Sequence, residues 1–89
     1  MAMAERDILR LLTDLVETLG IQVRYEILGD EEISFKGGHC SLKGQRLLIV
    51  DLRLPIPGKI RLFLDVLRQQ DLEGMFIPPV IRRLLEDDG

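Results

Sequence analysis

The residue types best suited to chemistry in this chain sit together in Lys36-Gly37-Gly38-His39-Cys40-Ser41-Leu42-Lys43-Gly44, which holds its one histidine and its one cysteine side by side. Imidazole and thiolate are both zinc ligands, and an imidazole can also activate a thiol for nucleophilic attack. Either role demands more than adjacency. A zinc site takes three or four protein ligands, so carboxylates or a second subunit would have to complete the set. Neighbours on a strand point to opposite faces, and only a distortion at Gly37-Gly38, such as a bulge, would bring His39 and Cys40 to one ion. The same geometry works against a Cys–His nucleophile. The simpler expectation is that Cys40 packs inward in phase with Leu42, while His39 faces water with Ser41 and the glycines bend the sheet. Nor is this a phosphate-binding loop, because Gly44 is followed by Gln45 and no helix opens behind the glycines. No catalytic residue, metal or cofactor is expected, and Gly37, Gly38, His39 and Cys40 stand as the candidate functional segment.

The elements that position this segment follow from hydrophobic period. Ile8, Leu11, Leu12, Leu15, Val16 and Leu19 recur at spacings of three and four, which predicts a helix from Glu5 to Leu19 closed by Gly20. Ile21 to Ile27 alternates apolar and polar, as a half-buried strand does, and Ile33-Ser34-Phe35-Lys36 alternates again beyond Gly29-Asp30-Glu31. These two are expected to form a hairpin. His39 to Leu42 reads as a third strand, and Lys43-Gly44 as a two-residue hairpin turn. The run Leu47-Leu48-Ile49-Val50 needs cover on both faces and is expected to be the central strand. Behind Leu54-Pro55-Ile56-Pro57-Gly58, a helix is predicted to Gln70 with Ile60, Phe63, Leu64 and Leu67 as its apolar stripe. Pro78-Pro79 opens a last short helix. The order α-β-β-β-β-α-α implies one α+β domain over 1–89. Its expected form is a two-layer sandwich with a small, mainly antiparallel four-stranded sheet packed by helices.

Composition narrows the function classes. The 89 residues carry a net charge of −3 and four aromatics, Tyr25, Phe35, Phe63 and Phe76, all in apolar phase. Neither a basic field nor a base-stacking platform is evident, so nucleic acid is not an expected partner. Lys36, Lys43, Arg46, Arg53, Lys59, Arg61, Arg68, Arg82 and Arg83 are offset by acidic residues and read as a solvated surface. The longest aliphatic run is too short to span a bilayer, and one cysteine cannot form an internal bridge. A cytoplasmic protein is expected.

The pattern Lys36-Gly37-Gly38-x-Cys40-x-Leu42-Lys43-Gly44, followed by Asp71-Leu72-Glu73 and Ile77-Pro78-Pro79, resembles a small family of uncharacterised bacterial proteins, a likeness that implies no activity. In architecture the chain is also similar to zincin-type metallopeptidases that cleave transcriptional repressors. That family carries His-Glu-x-x-His on the helix after a Leu-Pro segment. The nearest register here is Leu64-Asp65-Val66-Leu67-Arg68, without either histidine.

Met75-Phe76-Ile77-Pro78-Pro79 adds apolar surface beyond what so small a core requires, and forms the candidate interaction surface. The expected function is non-enzymatic, through homodimerisation or contact with a protein partner. A metal- or thiol-dependent site at His39 and Cys40, in a degenerate metallopeptidase-like domain, is the alternative.

Overall fold

The computed structural model describes residues 3–27 and 37–87. Helix α1 (Glu5–Thr18) opens without a side-chain cap, with Glu5 and Asp7 in its first turn beside the positive end of the helix dipole. It closes at Gly20, whose φ of +86° is a backbone state that a Cβ disfavours. Strands β1 (Ile21–Glu26), β2 (Gly37–Leu42) and β3 (Gln45–Asp51) follow, then α2 (Ile56–Arg68) and α3 (Pro79–Asp87). Proline stands at the start of both later helices, where its missing N–H costs nothing.

The sheet differs from the expected one. Among the described residues it has three strands in the order β1-β3-β2, so the element order is α-β-β-β-α-α, with one sheet edge parallel and the other antiparallel. A four-stranded, mainly antiparallel sheet is not what forms: β1 runs parallel to β3. The expected strand at 33–36 lies outside the described residues. The physical reason is in β3. Its aliphatic run is the segment most in need of neighbours, so it takes the centre and leaves the amphipathic β1 and the small-residue β2 at the edges. The central placement of β3 is as the sequence implied.

Register then decides the faces. Ile21, Val23, Leu48 and Val50 look toward the helices and join Leu12, Val16, Phe63, Leu67 and Ile81 in the core. Gln22, Arg24 and Glu26 of β1 lie on the other face with Leu47 and Ile49 of β3. Leu47 is buried even there, between Gln22 and Cys40 on its two neighbouring strands.

Candidate functional site

The β2–β3 hairpin closes through Lys43 and Gly44 at φ of +53° and +80°, the two positive values a type I′ turn requires. From that turn the ladder runs unbroken: Leu42 opposite Gln45, Cys40 opposite Leu47, His39 opposite Leu48, Gly37 opposite Val50. No extra residue interrupts it, so Gly37 and Gly38 are ordinary strand positions here rather than a bulge.

This register reverses the expected phase. His39 shares the helix-facing side with Leu48 and is half-buried, whereas Cys40 shares the outer side with Leu47 and is exposed. Leu42 is 56% exposed, so it does not carry Cys40 into the core. The apolar character of Leu42 misleads because it stands in phase with Cys40 on the outer face, next to the turn and opposite Gln45. His39 and Cys40 therefore stand on opposite faces and cannot meet at one ion. Among the described residues no group of three or more His, Cys, Asp or Glu side chains is placed to hold a metal. In α2, Leu64, Val66 and Leu67 are core residues, and Asp65 faces outward to pair with Arg68 at 3.1 Å.

The second candidate, Met75 to Pro79, divides. Ile77 is 5% exposed and belongs to the core, while Phe76 is 78% exposed, contrary to the apolar phase expected of it. Met75 and Pro78 are half-buried and Pro79 is exposed. Beside Phe76 lies an open groove of about 420 Å³, bounded by Leu72, Met75, Arg82 and Leu85. The segment thus presents one aromatic ring rather than a continuous apolar strip.

Two polar clusters were not anticipated. At the end of β3, Asp51 is largely buried and accepts hydrogen bonds from the Arg53 backbone N–H (2.9 Å), Nε (3.2 Å) and guanidinium (3.1 Å). These bonds from the Arg53 side chain, then from its backbone, hold the Asp51 carboxyl below the usual aspartate range despite burial. Nearby, the Lys59 ammonium stands 5.7 Å from the Tyr25 ring centroid. At the other end of β3, Arg46 donates to the Leu19 backbone carbonyl (3.4 Å) and to the side-chain oxygen of Gln70, tying the segments just past α1 and α2 to the sheet. Arg68 likewise donates to the Leu84 and Leu85 carbonyls at the end of α3. An Asp-x-Arg at a strand end is a detectable turn signal. The Arg46 contact, between residues far apart in sequence, has none.

The segment's most distinct feature is its place at a strand edge. Strand β2 carries no charged residue and no proline. The opposite edge strand, β1, carries Arg24 and Glu26, an exposed ion pair at 3.7 Å. Charged side chains are how edge strands ordinarily discourage pairing with another chain. No protein-family model, curated protein or solved structure matches this chain. Among the described residues no helix is long and apolar enough to cross a membrane.

Proposed function

We propose that the protein is a small contact domain, non-enzymatic, that works as a homodimer. The observation that carries this reading is the unguarded edge of β2: six successive residues with neither charge nor proline. Among the described residues no strand lies on the outer side of β2, so its outward backbone N–H and C=O groups are available for pairing. Pairing with a second copy satisfies them. Cys40 and Leu42, both exposed, extend the same surface onto the outer face.

Light scattering on the reduced protein tests the reading. At about 50 µM the expected mass is twice the 10.2 kDa of one chain, falling toward one chain on dilution. A mass of one chain at every concentration up to that value contradicts it.

A further inference from the structure

We infer that two copies join edge to edge through β2 in one register, antiparallel about a two-fold axis at Cys40, making a continuous six-stranded sheet. This rests on the homodimer reading above and adds the interface and its register.

The register follows from the hairpin. In a two-residue turn the flanking pair, here Leu42 and Gln45, exchanges both backbone hydrogen bonds, and such pairs alternate along an antiparallel ladder. Leu42, Cys40 and Gly38 therefore spend their N–H and C=O groups on β3. Those of His39 and Ser41 point away from it, to the edge on which no other described strand lies.

A two-fold axis normal to the sheet keeps both helical layers on one side and pairs residues of the same facing. Three placements of that axis are possible near the middle of β2, and side-chain chemistry separates them. On His39, the axis sets two imidazoles against each other. On Ser41, it sets His39 against Lys43. On Cys40, His39 meets Ser41 of the second copy, Leu42 meets Gly38, and Lys43 meets Gly37. Each larger side chain then faces a small one, and no like charges come together. The outward groups of His39 and Ser41 exchange hydrogen bonds on both sides of the axis. The two Cys40 residues face each other as a non-hydrogen-bonded pair, with Cα atoms about 4.5 Å apart. That spacing lies within disulfide range, and both thiols are on the exposed outer face.

Oxidation reads the register directly. Diamide takes two electrons and two protons from a facing pair of thiols, forming the S–S bond while its N=N bond becomes a hydrazine. On the reduced dimer the expected result is near-complete conversion to a covalent dimer, absent in Cys40→Ser, which remains a non-covalent dimer. Charge on the axis is the second arm. C40K and C40E each weaken association by roughly 100-fold or more, and mixing the two restores a dimer containing one chain of each. Cys40 is exposed, so both variants keep the wild-type circular dichroism. The control F76S keeps the dimer.

The inference requires both the cross-link and the charge-swap rescue. A wild-type dimer lacking either one places the interface elsewhere and overturns the inference while leaving the homodimer reading intact. A wild-type protein that stays monomeric overturns both.

Discussion

Asp51 is the one charged residue among those described that is buried. It is 8% exposed at the end of the central strand, and its charge is held there by Arg53. Because folding lowers its pKa, the carboxylate stabilises the fold wherever pH lies above the unfolded value of about 3.9. That contribution disappears as pH falls through the lower, folded value. Urea unfolding of the wild type and Asp51→Asn at pH 7 and again well below pH 4 is expected to show a stability gap that closes with acid. A gap that widens in acid would mean the shift has the opposite sign. Two neighbours further along make a sharper contrast. Ile77→Ala removes a core side chain and should cost about 2–4 kcal/mol, whereas Phe76→Ser should stay within about 0.5 kcal/mol. Equal losses in thermal melts would show that Phe76 is packed after all.

Among the elements, the β2–β3 hairpin fixes the rest of the sheet, and its turn is not optimal. Lys43 occupies a left-handed position that asparagine adopts more readily, so Lys43→Asn should raise stability by about 0.5 kcal/mol, seen as a higher urea midpoint. A fall in that midpoint would mean the Lys43 side chain makes a contact that outweighs its backbone strain. Much of this level is legible in the residues. The stripe from Ile8 to Leu19, the glycine after it, the Lys43-Gly44 turn and the proline-opened α3 are local signals, and each element is where its signal stands. Pairing is different, because strands distant in sequence choose partners by competition. The alternation in β1 says that one face is buried, not that its neighbour is β3, which lies beside it in parallel. The phase of β2 was hidden for a related reason. A six-residue strand of glycine, histidine, cysteine and serine has one strongly apolar residue, Leu42, and that residue sits beyond the core.

At the scale of the whole molecule, the described helices pack on one face of the sheet, and arginines tie their carboxyl ends to neighbouring elements, Arg46 of β3 at α1 and α2 and Arg68 of α2 at α3. Arg46 serves α1 and α2 together, a cation beside the negative ends of two helix dipoles. Replacing it with methionine keeps the stem and removes the donors, at an expected cost of about 1–2 kcal/mol in chemical denaturation. Full stability in that variant would show that water serves those carbonyls equally well. The dimer account depends on the outer edge of β2, on which no other described strand lies. The backbone N–H groups of His39 and Ser41 point away from β3, and in the proposed dimer they bond to a second β2 lying alongside. Hydrogen exchange at these two amides, followed by NMR across a concentration series, tests that claim at its centre. The dimer account predicts protection that grows with protein concentration, alongside concentration-independent protection at Cys40. Rapid exchange at His39 and Ser41 at concentrations where the protein is dimeric would contradict it.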